Sequence, residues 1–152
     1  MIRTATIKDA EIIAKFNYLM ALETENILLN KEILNQGVRE ILSDSEKGIY
    51  FVYEKENQVV GQLMITREWS DWRNGYFAWI QSVYVDQDYR NQNVFRSLFM
   101  HVKEMVDENP EYCGLRLYVE KSNQRAQDVY IKLGMVESDY LMYEYEKSTS
   151  DN

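Results

Sequence analysis

The sequence predicts an α+β chain: a mixed, mostly antiparallel sheet with helices on both faces and one parallel pair of strands. Three observations predict it. Two amphipathic helical patterns come first. Two β-rich segments, residues 49–54 and 59–66, then follow with only a charged turn between them, which makes an antiparallel hairpin. A third helical pattern lies between further β-rich segments at 76–85 and 114–120, and such a crossover leaves its strands parallel.

Each element has its own signal. A first strand is expected ahead of the first helix. Thr6-Ile-Lys-Asp9 reads as a capping box, with Asp9 in place of the usual Glu or Gln. Ile13, Phe16 and Met20 continue it at helical spacing, predicting a helix over 7–22. Leu34, Val38, Ile41 and Leu42 predict a second over 31–43, and Gly48 precedes the next strand. Residues 69–75 are polar and aromatic and read as a loop. The strand 76–85 has no polar break beyond Gln81 and Ser82, so it is expected to be covered on both faces. Val94, Phe95, Leu98, Phe99, Val102 and Val106 mark a helix to about Asp107, ended by Asn109-Pro110. Ser122 and Asn123 can cap a short helix running to Leu133, with Gly134 as its left-handed C′ residue. Residues 135–146 resemble one or two closing strands. No boundary or repeat appears, so one domain is expected over 1–146 and a frayed tail over 147–152.

Composition narrows the function. The 152 residues suit one domain, and 17 Lys+Arg against 25 Asp+Glu leave a net charge of −8. That charge argues against nucleic acid, whose phosphates demand cations. One Cys and one His exclude an internal disulfide and a Cys/His metal cluster, so no metal is expected. No segment approaches the ~18 apolar residues of a membrane span. The N-terminus has no uninterrupted apolar stretch of signal-peptide type, and a cytoplasmic location is expected. His101 is expected to be exposed, Cys113 to be a small residue at a strand start, and the seven Met to be core filler.

The informative segment runs from Val83 through Asp86, Arg90 and Asn93 to Leu98. A strand enters a polar turn and then a helix whose first amides have no partner within the helix. That is an anion site, and Arg90 and Arg96 add positive charge. Phosphate or pyrophosphate is the natural ligand; a plain strand–loop–helix joint with two solvated arginines is the alternative.

Here the sequence resembles the GNAT superfamily of acetyl-CoA-dependent N-acetyltransferases. Arg90-Asn91-Gln92-Asn93-Val94-Phe95 aligns with its acyl-CoA motif, Arg/Gln-x-x-Gly-x-Gly/Ala. Asn93 replaces the first Gly, and Asn visits positive φ more readily than other non-Gly residues. Phe95 replaces the second small residue; it can face the core or crowd the cofactor. Downstream, Asn123-Gln-Arg-Ala126-Gln-Asp-Val-Tyr130-Ile-Lys-Leu-Gly134-Met135 matches Asn-x-x-Ala-x-x-x-Tyr-x-x-x-Gly-Phe except at Met135. The opening Ile2-Arg3 with Asp9-Ala10, and Val60-Gly61-Gln62, also look like this family.

The resemblance implies a GNAT-like fold whose parallel strands splay to admit acetyl-CoA. Backbone groups of Ser82, Val83, Tyr84 and Val85 would pair with the pantetheine like an added strand. Amides of Gln92, Asn93, Val94, Phe95 and Arg96, with Arg90 and Asn91 beside them, would hold the pyrophosphate. Asn123 would help position the pantetheine, and Tyr130 would lie near the sulfur as acid for the leaving thiolate. An amine acceptor, on a small molecule or a protein, would attack the thioester directly. Glu68 and Glu25 are candidate bases and Glu23 a weaker one; each is more often a solvated surface carboxylate, and a water chain to the strand backbone could serve instead. Trp69 and Trp72 beside Glu68, Asp71 and Arg73 either line an amphipathic acceptor pocket or cap a hairpin, with Trp72 on the sheet and Arg73 paired with Asp71. The competing functions are a non-catalytic acyl-CoA-binding or regulatory domain and a domain for protein association. Homodimers are common in the resembling family.

Overall fold

The computed structural model describes residues 1–148, so most of the tail expected to fray lies outside the described residues. The chain falls into two compact units, Met1–Arg116 and a second beginning at Leu117.

The first unit contains β1 (Ile2–Thr4), α1 (Ala10–Glu25), α2 (Lys31–Ser43), β2 (Ile49–Lys55), β3 (Gln58–Ser70), β4 (Gly75–Val85), α3 (Val94–Glu108) and β5 (Tyr112–Arg116). The five strands form one sheet in the order β1-β2-β3-β4-β5. The first four are antiparallel to their neighbours, and β4 and β5 are parallel, as the α3 crossover requires.

Local chemistry explains the boundaries. The Asp9 carboxylate accepts the Thr6 N–H at 2.7 Å, and Arg3 donates to the same carboxylate at 2.8 and 2.9 Å. A short 3-10 turn at Ile7–Asp9 leads into α1, which runs to Glu25 rather than stopping at 22. Asn30 caps α2 through Ile33 N–H at 3.1 Å. The β2–β3 turn is Glu56-Asn57, both at positive φ (52° and 62°), the backbone of a tight hairpin that twists with its strands.

The sheet is covered on both faces. Tyr50, Val52 and Met64 pack with Ala10, Ile13, Ala14 and Val38 of α1 and α2. On the other face Phe51 meets His101 of α3, ring centroids 5.0 Å apart. Leu63, Ile65, Leu98, Phe99 and Val102 are fully buried.

Several expectations are corrected. Residues 69–75 are not a loop: Trp69 pairs with Tyr76 and Ser70 with Gly75, so only the tip between β3 and β4 turns. The apolar alternation was hidden by the polar residues of an exposed hairpin end. The last strand of the unit spans Tyr112–Arg116, not 114–120. His101 is half-buried against Phe51 rather than exposed. Of the methionines, Met64 is buried, while Met1, Met100 and Met142 are exposed. Cys113 does lie at a strand start, as the second residue of β5, and is exposed.

The second unit contains α4 (Gln124–Lys132). Asn123 Oδ1 accepts the Ala126 N–H at 3.2 Å, as its capping role predicts. Gly134, at φ +97°, closes the helix: its N–H reaches Ile131 O at 3.0 Å and Met135 N–H reaches Tyr130 O at 3.0 Å. Residues 135–148 then contain no helix or strand, against the expected closing strands. Their tyrosines and valine favour β structure, but propensity without ladder hydrogen bonds makes no strand.

Candidate functional site

The parallel β4–β5 ladder ends partway along β4. Its ladder with β5 runs from Tyr76↔Tyr112 to Trp79↔Arg116 and stops there. Among the described residues, the ladder of residues 80–85 of β4 is with β3. Within that stretch the β3–β4 register shifts between Gln62 and Met64, and Ser82 sits at φ +50°. A left-handed non-glycine residue in a strand is strained and needs holding. Gln62, fully buried, holds it: Nε2 donates to Ser82 O at 3.1 Å and to Asn17 Oδ1 at 2.8 Å. Asn17 Nδ2 in turn donates to the Tyr50 hydroxyl at 2.9 Å.

β4 leads into the polar turn. Asp86 N–H bonds Val60 O at 2.8 Å, and Asp86 Oδ1 accepts the Asp88 N–H at 3.0 Å. Asn91 and Asn93 both adopt φ +64°, so asparagine supplies the left-handed geometry that the family pattern gives to glycine. The Asn93 side chain caps no amide, which leaves the first turn of α3 able to bind an external acceptor. Val94 is buried against β3 at Gly61, where an added Cβ would lie 2.6 Å from Val94 Cγ1. Phe95 is half-buried and lies 6.1 Å from the Phe99 ring, one turn along the helix.

The charges are arranged differently from the simple expectation. Arg90 pairs with Glu23 (2.8 Å), donates to Val85 O (3.0 Å) and lies over the Tyr84 ring (5.3 Å). The Tyr84 hydroxyl donates to the other Glu23 oxygen at 2.5 Å. Burial, with Glu23 beside it, pushes the Tyr84 phenol up to about 12. The Tyr84 hydrogen bond and Arg90 hold the Glu23 carboxyl below its usual range, which makes it a poor proton acceptor. From another element, Lys55 of β2 brings a second cation to the turn, its Nζ donating to Gln92 Oε1 at 2.9 Å. Arg96 is exposed on the first turn of α3.

Glu68 is held at the end of the β4–β5 ladder. Its Oε1 accepts Trp79 Nε1–H at 3.1 Å and Arg116 Nη1–H at 2.9 Å, from the last residue pair of the β4–β5 ladder. Arg116 also stacks over Phe77, 3.7 Å from its centroid. Glu25 is the exposed last residue of α1. Trp72 is 85% exposed at the hairpin tip, so it does not lie on the sheet. Arg73 stacks over Phe77 at 5.0 Å, and no Arg73–Asp71 ion pair exists among the described residues.

In the second unit, Asn123 caps α4 and Tyr130 is half-buried within it. Burial raises the Tyr130 phenol, so it keeps its proton at neutral pH.

Sequence reasoning missed Lys55, the Glu23–Tyr84–Arg90 cluster and the Asn17–Gln62–Tyr50 chain. Their partners lie 33 to 67 residues apart in sequence, and no local pattern encodes such pairs.

A mixed sheet whose parallel ladder ends beside a strand bulge, with its central strand leading into a helix N-terminus, has the topology of an acyltransferase-type fold. The chain belongs to the acetyltransferase (GNAT) family, whose sequence profile matches residues 15–135. It is 50% identical to a possible acetyltransferase from Clostridium difficile 630, with 97% of each chain covered and a TM-score of 0.93. A predicted acetyltransferase from Clostridium acetobutylicum, solved with acetyl-CoA, is similar in fold at 17% identity, 95% of each chain covered and a TM-score of 0.77. A transcriptional regulator from Bacillus halodurans C-125 has the same fold at 21% identity, with 96% of this chain and 99% of that chain covered and a TM-score of 0.81. No curated protein matches the sequence significantly.

Proposed function

We propose that this chain is an acetyl-CoA-dependent N-acetyltransferase whose acceptor is a primary amine on a small molecule or a protein. The observation that carries this is the free β4 edge at 80–85 leading straight to the uncapped first turn of α3. An edge offers unpaired backbone groups to an extended amide chain, and a helix N-terminus attracts phosphate. Pantetheine followed by pyrophosphate has that chemistry in that order. The acetyl-CoA of the Clostridium acetobutylicum protein supports the same ligand here.

Bound acetyl-CoA supplies an activated thioester. The amine lone pair forms the new C–N bond as the C–S bond breaks, the amine loses a proton, and the thiolate gains one. A lysine-like amine, with a pKa of ~10.4, is only about 0.04% neutral at pH 7, a deficit of ~4.6 kcal/mol that a base offsets. Glu68 is the preferred base, because its partners Trp79 and Arg116 end the ladder where the sheet opens; Glu25 has no such placement. Tyr130 is the acid and Asn123 a pantetheine contact, on the strength of their motif. Glu23 serves instead as a clamp for Arg90 and Tyr84. The single-domain reading of 1–146 goes with this proposal and is supported by the 97% coverage of the Clostridium difficile relative. A cytoplasmic location goes with it too, since a lone cysteine fits a reducing compartment.

The test is thermal unfolding with and without acetyl-CoA, then thiol release with an amine panel. Acetyl-CoA at ~100-fold above Kd adds ~2.7 kcal/mol, which raises Tm by about 5–10 °C at this length. No shift with acetyl-CoA, CoA or longer acyl-CoAs would overturn the proposal. Tyr130→Phe should lower turnover far more than acetyl-CoA affinity; unchanged turnover removes the acid role.

A further inference from the structure

A glutamine inside a packed sheet is a costly choice, because its amide needs hydrogen-bond partners on both nitrogen and oxygen and an apolar side chain needs none. Gln62 of β3 is fully buried, and its Oε1 has no hydrogen-bond partner among the described residues. An orphaned buried oxygen lowers stability, so packing alone does not account for this residue. Its Nε2 is fully used, donating to Asn17 Oδ1 at 2.8 Å and to Ser82 O at 3.1 Å. Asn17 Nδ2 donates to the Tyr50 hydroxyl at 2.9 Å, and the Ser82 side chain is a further hydrogen-bonding neighbour of that hydroxyl. Ser82 is thus held at its carbonyl through Gln62 and at its side chain through Tyr50. Residues from α1, β2 and β3 converge on one residue of β4, all within the first unit.

The hold has a direction. No peptide bond among the described residues is cis, and in a trans peptide the C=O and the following N–H point opposite ways. Gln62 takes the Ser82 carbonyl, so the Val83 N–H points away from Gln62. Serine at φ +50° does not keep that orientation unaided, since the extended state is cheaper for it. The shift in β3–β4 register, between Gln62 and Met64, falls at the same place. We propose that Gln62 is a positioning residue for acyl-CoA: through Ser82 it sets how the backbone groups of residues 82–85 are presented to the pantetheine arm, and Asn17 and Tyr50 fix Gln62 in turn. This rests on the acyl-CoA reading given above. Gln62 touches no reacting atom. Without its amide the Ser82 peptide relaxes toward the extended state and the polar pattern along β4 shifts. The turn that precedes α3 keeps its own contacts, from Asp86 to Val60 O and from Gln92 to Lys55.

The test compares two ligands by titration calorimetry: acetyl-CoA, and adenosine 3′-phosphate 5′-diphosphate, which carries the phosphates without pantetheine. Gln62→Met keeps the volume and removes the amide. It should raise the acetyl-CoA Kd about tenfold, the worth of roughly one hydrogen bond, and the Kd of the phosphate fragment by less than about twofold. Tyr50→Phe removes only a hydroxyl from the same network and should show the same selectivity at about threefold. It keeps the proposal falsifiable if Gln62→Met does not fold. In the ligand-free protein, amide hydrogen exchange should quicken more at 82–85 than across α3 in both variants, which a uniform loss of stability does not produce. Acetyl-CoA affinity unchanged in the folded variants, or lost equally for both ligands, would overturn the proposal and leave the acyl-CoA reading standing. A wild-type protein that binds no acetyl-CoA would overturn that reading and the proposal with it.

Discussion

Gly61 is where the fold and the proposed cofactor site meet most tightly. Alanine there would place its Cβ 2.6 Å from Val94 Cγ1, 3.5 Å from Leu98 Cδ1 and 3.5 Å from Tyr84 O. Ordinary carbon–carbon contact is about 3.5–4.0 Å, so the methyl overlaps Val94 by about 1 Å. Val94 has little room to rotate away: a helical valine is held near one χ1 rotamer, and this one is 3% exposed. The strain therefore pushes the first turn of α3 off β3. Overpacking of this kind costs about 1–3 kcal/mol. At this length each 1 kcal/mol lowers Tm by about 2–4 °C, so the expected drop is about 2–12 °C. The displaced turn carries the amides proposed for pyrophosphate, and acetyl-CoA affinity should fall about tenfold if one such hydrogen bond, ~1.4 kcal/mol, is lost. Val94→Ala alone should cost about 1–2.5 kcal/mol through the cavity it leaves. In Gly61→Ala/Val94→Ala the new methyl enters that cavity, so the double variant should be about 1–2 kcal/mol more stable than additivity allows. Urea unfolding of the four proteins and titration calorimetry with acetyl-CoA measure both effects. A Gly61→Ala protein melting within about 1 °C of wild type, or strict additivity in the cycle, refutes the reasoning.

Other consequences follow from the same contacts. Asn93 holds φ +64°, so Asn93→Ala should lose about 1–2 kcal/mol in urea unfolding while Asn93→Gly stays within about 1 kcal/mol of wild type. Arg3 holds the Asp9 carboxyl below its usual range, so that pair's stabilisation is complete above the unfolded carboxylate pKa of about 3.9 and is lost as pH falls through the lower folded value. Asp9→Asn should therefore cost about 1.5–3 kcal/mol at pH 7 and flatten the stability profile below pH ~4, read by unfolding at stepped pH. Glu23→Gln removes the carboxylate facing the Tyr84 hydroxyl, so the phenol's ultraviolet titration should move from about 12 toward its ordinary value; an unmoved curve would show that burial alone sets it.

Most of the fold was legible because it rests on short-range signals. The helix over 31–43, the hairpin, the parallel crossover, the Asn123 cap and the Gly134 stop each depend on residues within a few positions of one another. What the sequence did not disclose depends on distant residues. The end of β5 at Arg116 is set by where pairing with β4 stops, and Leu117 onward keeps the same β-favouring composition. The extension of β3 and β4 over 69–75 is set by cross-strand pairing that polar side chains concealed. In the candidate site, the turn and its asparagines were readable, whereas the partners of Arg90 and Glu68 came from other elements.

The two departures from the family pattern show what that pattern physically requires. At the first small position the requirement is a left-handed backbone, and Asn93 meets it with φ +64°. At the second, the requirement is that the side chain stay clear of the helix N-terminus. The Phe95 and Phe99 rings lie 6.1 Å apart, an i, i+4 contact of two helical aromatics. Glycine's remaining advantage, close approach of helix to sheet, has moved to the other side of the contact. There Gly61 on β3 makes room for Val94. The strong cation expected from the motif is likewise reassigned: Arg90 fixes Glu23, Tyr84 and the Val85 carbonyl, so it shapes the end of the open strand. Charge beside the turn then comes from Lys55 through Gln92. In the proposed site, what the motif assigns to glycine and to its cation is thus shared among Asn93, Gly61 and Lys55.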